Sequence, residues 1–232
     1  MLRDYYFEKI MKFHENGYIS DDILRMFFEK LPSIDKLVYE VEKAFELSYP
    51  PIVFNPYLII VKYPLGFTST VIYASTKIQN FNNEFKLCIE LTLPFVLFAN
   101  NDLIKACLAH EFLHYIFITI ILKEKSLEKL AGIKPVAPEV FLAFDSTYLV
   151  KPEDWIKDKE LIKLIEKYFN PIINDIELEE KIREFWINKS LPIKEISIED
   201  SMIRIPVLEL NKIKLNDEIL RRVNIKNKDK GV

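Results

Sequence analysis

Apolar residues recur at helical spacing through the first fifty residues of the chain. Leu37, Val38, Val41 and Phe45 repeat every three or four positions and therefore share one helix face. The pattern predicts three helices: residues 3–14, a second from a Ser20 cap to about residue 31, and a third from a Ser33 cap to about residue 47. We expect these helices to form an N-terminal helical unit over residues 1–50.

The pattern changes to short β-type runs after Pro50 and Pro51. Residues 57–63, 66–74 and 85–93 are rich in β-branched and aromatic residues, and turn signals separate them. We expect a small, mostly antiparallel sheet. Further along, residues 152–169 and 171–189 have helical spacing, residues 195–208 alternate, and residues 221–232 form a polar, frayed tail.

A third kind of pattern begins after the predicted sheet. Residues 103–122 lack Pro and Gly, follow possible caps at Asn100, Asn101 and Asp102, and are apolar on almost every side. A helix of this composition belongs in the interior. The predicted fold class is therefore α+β, with a small sheet packed on a buried helix and with C-terminal helices, all within one domain spanning residues 51–220.

The polar exceptions on that helix carry the candidate chemistry. His110, Glu111 and His114 form the sequence HEFLH, an instance of the pattern HExxH. Histidines four positions apart lie on one helix face, so both imidazoles can bind one zinc ion while Glu111 serves as the base for a water molecule. The alternative is a structural histidine pair whose hydrogen bonds are satisfied within the fold. A metal satisfies all three buried groups at once, and we favour it.

Composition indicates which partners and which cellular location we expect. The net charge of −3 arises from nearly balanced acids and bases, which argues against nucleic acid as the main partner. Two cysteines are too few for a disulfide framework, and no signal peptide opens the chain, so we expect a cytoplasmic protein. The longest apolar run, near residues 115–122, is shorter than a membrane span, and we expect no such span.

A catalytic zinc site needs three protein ligands and an open position. The third histidine, His14, lies in a polar stretch and is expected on the surface, so a carboxylate is favoured. Glu179 lies in the middle of the inward face of the helix predicted over residues 171–189. Glu179 is either the third ligand, supported by Arg183 or Asp175, or the partner of Arg183 in a half-exposed salt bridge. The other candidates are Glu139, Asp145, Asp175 and Glu180.

A buried HExxH helix, preceded by a small sheet and followed by a helix that offers a glutamate, resembles the gluzincin branch of zinc metallopeptidases. The stretch of residues 176–192 is also loosely similar to the glutamate helix of the ImmA/IrrE family. The resemblance is sharp over five residues and diffuse over the middle of the chain. It departs from the thermolysin type because about 64 residues lie between His114 and Glu179.

The resemblance implies a zincin-like fold and a zinc-dependent hydrolase that cleaves peptide bonds. Zn²⁺ held by His110, His114 and Glu179 would lower the pKa of a water molecule, and Glu111 would take its proton. The metal would also stabilise the oxyanion, with Tyr115, Tyr148 or Arg183 as a further donor. An edge strand could align the peptide or protein substrate.

Two other readings stay open. One resembles peptide deformylase, in which Cys88 on an upstream strand would bind the metal. The other is a catalytically silent or latent zincin-type binding protein, and an N-terminal unit folded over the cleft would favour it.

Overall fold

Helices and strands are mixed along the computed structural model, which describes residues 5–63, 69–124, 150–169, 175–197 and 212–229. The helices are α1 Glu8–Glu15, α2 Asp21–Phe45, α3 Leu93–Phe98, α4 Asn101–Glu124, α5 Pro152–Trp155, α6 Lys159–Tyr168, α7 Ile176–Asn188 and α8 Asp217–Asp229. The strands are β1 Tyr5–Tyr6, β2 Ile52–Asn55, β3 Leu58–Lys62, β4 Ser69–Ile72, β5 Ala74–Phe81, β6 Glu84–Thr92, β7 Ile193–Ser197 and β8 Ile213–Lys214. The predicted α+β class is confirmed.

Helix α4 forms where the sequence predicts it. The side-chain Oδ1 of Asn100 accepts a hydrogen bond from the backbone N–H of Leu103 at 2.8 Å, which satisfies one of the exposed donors at the helix start. The helix then continues through residue 124 without Pro or Gly. Its apolar residues are buried on every side, so α4 is the central element of the core.

The strands form two mixed sheets instead of the mostly antiparallel sheet that we predicted. In the first sheet β1, β2, β6 and β5 lie side by side, and β8 pairs with the start of β6. In this sheet β5 and β6 are antiparallel, whereas β1 with β2, and β2 with β6, are parallel. In the second sheet β3 pairs with β4 antiparallel and with β7 parallel. The prediction was wrong because parallel partners are distant in sequence and leave no turn signal between them.

Strand β5 lies mostly outside the predicted strands. The described part of the run 66–74, from residue 69 on, contains β4 and the first residue of β5, and β5 continues to Phe81. Asn82 and Asn83, the predicted turn, both have positive φ, 50° and 69°, and connect β5 to β6 as a two-residue hairpin. The polar composition of β5, which contains Lys77, Gln79 and Asn80, concealed it.

The N-terminal helices also differ from the prediction. The second and third predicted helices are one helix, α2, with Pro32 inside it. The buried residues Phe27, Ile34, Leu37, Val38 and Val41 keep one apolar stripe across Pro32. Tertiary packing of that stripe offsets the hydrogen bond that a proline removes. Helix α1 begins at residue 8, and the preceding residues Tyr5 and Tyr6 form β1.

The N-terminal helices pack on the face of α4 opposite the histidines. The rings of Phe45 and Phe112 have centroids 4.7 Å apart, and the Tyr49 hydroxyl donates to the Leu108 carbonyl oxygen at 2.8 Å. Leu108 and Phe112 are each two residues from a histidine of the motif, which turns them about 160° away around the helix. The N-terminal helices therefore share the core of the sheet and α4 but leave the histidine face to other elements.

Toward the C-terminus, the helix predicted over residues 152–169 is interrupted. Helix α5 ends at Trp155, and Asp158 caps α6 by accepting from the backbone N–H of Glu160 at 2.9 Å. Helix α7 begins after Asp175, later than predicted. The tail expected to fray is helical through residue 229 as part of α8. The apolar stretch 140–150 lies outside the described residues except for Val150, and strand β7 accounts for the start of the alternating segment.

Helix α4 also meets a length and composition criterion for a membrane span. Residues Asn101–Lys123 pass it, as the one such helix in the described part of the chain, with 94% of the most apolar window buried inside the protein. A core helix of a folded domain meets the same criterion, so this is weak evidence for a span. The burial is what the all-round apolar pattern predicted.

Candidate metal centre

His110, Glu111 and His114 converge in the core on one side of α4. One ligand atom from each lies within 4.8 Å of the others, and the three residues are 6%, 5% and 3% exposed. The two Nε2 atoms are 3.0 Å apart, and the imidazole planes are nearly perpendicular at 82°. Both imidazoles are thus directed at one point, as the four-residue spacing on a helix predicts.

The surroundings hold both imidazoles in the neutral form. Burial lowers the pKa of His110 to about 3. Burial, followed by the proximity of His110, lowers the pKa of His114 well below its ordinary value. Metal ions bind neutral imidazole, so neither ring has to lose a positive charge to bind one at neutral pH.

The distance between the two Nε2 atoms fits a tetrahedral metal closely. Two zinc–nitrogen bonds of about 2.0–2.1 Å at a tetrahedral angle place their nitrogens about 3.3 Å apart. The observed 3.0 Å is slightly shorter and equals a hydrogen bond between one protonated and one unprotonated nitrogen. The pair can therefore share a proton when no metal is bound. To bind a metal, the two nitrogens need to move apart by only a few tenths of an ångström.

Thr76, which sequence analysis missed, contacts Glu111 from strand β5. Its Oγ1 lies 2.9 Å from the Glu111 carboxylate Oε2 and 3.1 Å from the Glu111 carbonyl oxygen. Thr76 is 2% exposed. Threonine at a strand position is ordinary and carries no local signal, so the pairing of β5 with β6 beside α4 would have been needed to find it.

Phe169, at the end of α6, covers one face of His110. The two rings are stacked, with centroids 3.9 Å apart and planes 9° from parallel. This contact holds the imidazole plane in one orientation and shields it from solvent on that side. Nothing in the sequence around residue 169 distinguished this phenylalanine from a core residue, because its role depends on the packing of α6 against α4.

The structure does not place Glu179 in the group of converging ligand atoms. Glu179 lies in the first turn of α7 and accepts from Arg183, with Oε1 at 2.8 Å from Nε and 2.6 Å from Nη2. Arg183 Nη2 also lies 3.1 Å from the Ser69 hydroxyl oxygen. The salt bridge that we considered for Glu179 is therefore present, and its role as third ligand stays a prediction.

The other predicted carboxylates have different positions. Asp175 caps α7 through a hydrogen bond from the backbone N–H of Leu178 at 2.9 Å. Glu180 is exposed on the same helix. Glu139 and Asp145 lie outside the described residues. None of the described carboxylates other than Glu111 belongs to the group around the two histidines.

The remaining candidates lie apart from the motif or outside the described residues. His14 binds Asp21 at 2.7 Å with a side chain 27% exposed, and it is not in the ligand group. Tyr115 is buried and hydrogen-bonded to Asn216, and its burial raises the pKa of the phenol to about 12. Tyr148 is outside the described residues.

Cys88, the ligand that a deformylase-type site would need, is buried on β6 and outside the group of converging atoms. Its Sγ lies 3.6 Å from the carbonyl oxygen of Lys77. Burial raises the pKa of the thiol to about 12, which opposes the thiolate form that a metal requires.

No protein-family model, curated protein or solved structure significantly matches the chain.

Proposed function

We propose that this chain is a zinc-dependent metallopeptidase of gluzincin type with a zincin-like fold. The observation that carries the proposal is the convergence of His110, Glu111 and His114 on one point inside the core. Two neutral imidazoles with Nε2 atoms 3.0 Å apart, beside a carboxylate, form the donor set that a zinc hydrolase uses. The imidazole nitrogens satisfy each other without an ion, so a metal would find two neutral donors already brought together in the core.

The motif residues divide the work between holding the ion and moving a proton. His110 and His114 hold the metal through Nε2, and Phe169 fixes the plane of the first ring. When bound, zinc supplies Lewis acidity, which makes water acidic enough to be deprotonated near neutral pH. Glu111 accepts that proton on its carboxylate and later delivers it to the leaving amine of the peptide.

Glu179 is the third ligand in this proposal, and Arg183 orients it. The Nε and Nη2 atoms of Arg183 both contact Oε1 of Glu179. A carboxylate can bind a metal through one oxygen while an arginine holds the other, an arrangement that fixes ligand orientation at many metal sites. Because Glu179 is outside the converging group, α7 has to approach the histidines when metal binds.

The outer edge of β5 is the proposed docking strand for an extended peptide. In the described part of the chain, β5 is the last strand of its sheet and pairs only with β6. Thr76 of this strand contacts Glu111, so β5 runs beside the motif. A peptide added as a further strand would present its backbone carbonyl groups near the base.

Elemental analysis and a peptide-hydrolysis assay test the proposal together. Wild-type protein is expected to hold about one zinc per chain and to cleave unstructured peptides. His110→Ala is expected to lose both properties. Glu111→Gln is expected to keep the zinc and lose turnover, because the amide binds no proton. Zinc binding by wild type with full turnover in Glu111→Gln would refute the role of Glu111.

A metal-free binding protein is the second candidate function. The 3.0 Å contact between the histidines favours it, since a shared proton satisfies one nitrogen of each ring without an ion. In this case the wild-type chain would take up no zinc even when zinc is supplied. His110→Ala would then change the stability of the chain and leave its metal content unchanged at zero.

A further inference from the structure

We propose that Thr76 is a positioning residue for the Glu111 carboxylate. This inference rests on the proposed function, because it assigns a catalytic consequence to a hydrogen bond at the same site. Thr76 approaches from β5, whereas the metal-binding motif lies entirely on α4. The contact therefore connects Glu111 on α4 to strand β5 of the sheet. The position of Thr76 relative to Glu111 depends on how the sheet packs against α4.

The geometry favours donation from the threonine hydroxyl to the carboxylate. Oγ1 of Thr76 lies 2.9 Å from Oε2 of Glu111 and 3.1 Å from the Glu111 carbonyl oxygen. A hydroxyl has one proton, so it can make one strong hydrogen bond at a time. The carboxylate oxygen is the closer acceptor, and a hydrogen bond to an ionised acceptor is about twice as strong as one to a neutral acceptor.

Burial makes this bond consequential. Thr76 is 2% exposed and Glu111 is 5% exposed, so water has little access to either side chain. A glutamate has three side-chain torsions, and losing a fixed partner allows its carboxylate to leave the position from which it accepts a proton. Proton transfer requires hydrogen-bond distance and alignment, so this loss slows the chemical step more than it weakens substrate binding.

Register explains why Thr76 reaches the site. Thr76 pairs with Ile89 of β6, and Ala74 and Ile78 share its face of the sheet. These neighbours are apolar, and the face packs on α4. Thr76 therefore offers a hydroxyl within an otherwise apolar contact between sheet and helix. A valine of the same shape would complete that contact without the hydrogen bond.

Thr76→Val and Thr76→Ser are the decisive variants for turnover. Removing the hydroxyl is expected to lower kcat about 10- to 100-fold, the range for groups that orient a functional residue, with KM changed less than about threefold. Thr76→Ser retains the hydroxyl and is expected to restore kcat to within a few-fold of wild type. Zinc content is expected to stay the same in both variants.

Thr119→Val is the matched control. Thr119 is also fully buried on the packed surface of α4, and its hydroxyl donates to the carbonyl oxygen of Tyr115 at 2.8 Å. It loses a comparable hydroxyl without touching Glu111. Wild-type kcat in Thr76→Val, or an equal loss of kcat in Thr119→Val, would overturn the assignment.

A metal-free measurement separates this inference from the proposed function. The unfolding equilibrium of the apo protein is measured for Thr76→Val, Glu111→Leu and the double variant. The unfolding equilibrium constant of the double variant is expected to be at least fivefold smaller than the value obtained by multiplying the effects of the two single substitutions. The reason is that Thr76→Val alone removes a hydrogen-bond donor from a buried carboxylate, which the double variant no longer contains. In the Glu111→Leu background the Thr76 hydroxyl is free to donate to the carbonyl oxygen of residue 111, so the measured coupling reports how much stronger its bond to the carboxylate is.

The outcomes are distinct. Coupling between the Thr76 and Glu111 substitutions in the apo protein, together with no zinc uptake by wild type, would reject the proposed function. The catalytic role of Thr76 would then be rejected as well, although the hydrogen bond itself would be established. Zinc uptake and turnover by wild type with additive effects in the apo protein would reject Thr76 alone. Coupling, together with a kcat loss that serine rescues, supports both.

Discussion

Glu179→Gln is the substitution that best separates a salt bridge from a metal ligand. In the structure the carboxylate binds Arg183 through Oε1 at 2.6 and 2.8 Å, and the two side chains are 27% and 25% exposed. Solvent screens a pair exposed to this extent. We therefore expect the apo variant to lose at most about 1 kcal/mol of unfolding free energy. For a chain of this size that corresponds to a Tm lower by about 2–4 °C.

Zinc changes the expected result because a ligand that binds the folded state stabilises it by mass action. At a free zinc concentration about 100 times the wild-type Kd, the wild type gains about 2.7 kcal/mol. A third ligand lost to Glu179→Gln is expected to weaken zinc at least about 100-fold, beyond what an orienting residue contributes. The variant then gains only about 0.4 kcal/mol. The zinc-induced rise in Tm should therefore be about 5–9 °C smaller in the variant.

Thermal unfolding with and without zinc, together with competition against a chromophoric chelator, measures both quantities. Glu184→Gln is the matched control, because Glu184 is exposed on the same helix. The control is expected to keep the wild-type response. An equal zinc-induced stabilisation in Glu179→Gln and wild type would refute Glu179 as a ligand and reduce it to the partner of Arg183.

Two further predictions concern residues outside the motif. Burial raises the pKa of the Cys88 thiol to about 12, against about 9 in the unfolded chain. The contribution of this thiol to stability is therefore complete below pH 9 and is lost as pH rises toward 12. Cys88→Ala should flatten the decline of Tm at alkaline pH, and an unchanged decline would contradict this. Phe169→Ala removes the ring stacked on His110 at 3.9 Å and should accelerate zinc release to a chelator several-fold. The control Phe98→Ala removes a ring that pairs with Phe185 and should leave the release rate unchanged. Equal release rates in the two variants would contradict this prediction.

The sequence was sufficient to predict elements whose signal is local. Helix α4 has a cap at Asn100, no breaker and an apolar surface all round, and the structure confirms both its range and its burial. Strands β3 and β6 and the turn at Asn82 and Asn83 follow from β-branched runs and turn chemistry. Each of these predictions depends on residues within one turn or one strand of one another.

Predictions failed where distant contacts decide the structure. Pro32 reads as a helix boundary, yet α2 passes through it because one continuous buried stripe spans both sides. The parallel pairing of β2 with β6 joins segments more than thirty residues apart, and no periodicity in either strand encodes that choice. Strand β5 is polar along much of its length and gains its place by pairing with β6.

The residues of the candidate site also fall into those with a local sequence signal and those placed by distant contacts. The motif residues His110, Glu111 and His114 are close in sequence, so helix geometry alone brought them together. Thr76 joins them from 34 residues before His110, and Phe169 from 55 residues after His114. Both act on a motif residue through packing of β5 and α6 against α4, which depends on the whole fold and carries no sequence pattern of its own.

The energetic state of the motif without metal explains why its surroundings matter. Each histidine places one nitrogen within 3.0 Å of the other, and Thr76 donates toward Glu111, so the polar groups of the helix are partnered inside the core. The apo fold therefore does not need an ion to offset the burial of these groups. Under the proposed function, metal binding would replace one shared proton and separate the two nitrogens slightly. Under the proposed function such a site would be preformed at the histidines, and Glu179 on α7, the proposed third ligand, is where we expect metal binding to produce the largest movement.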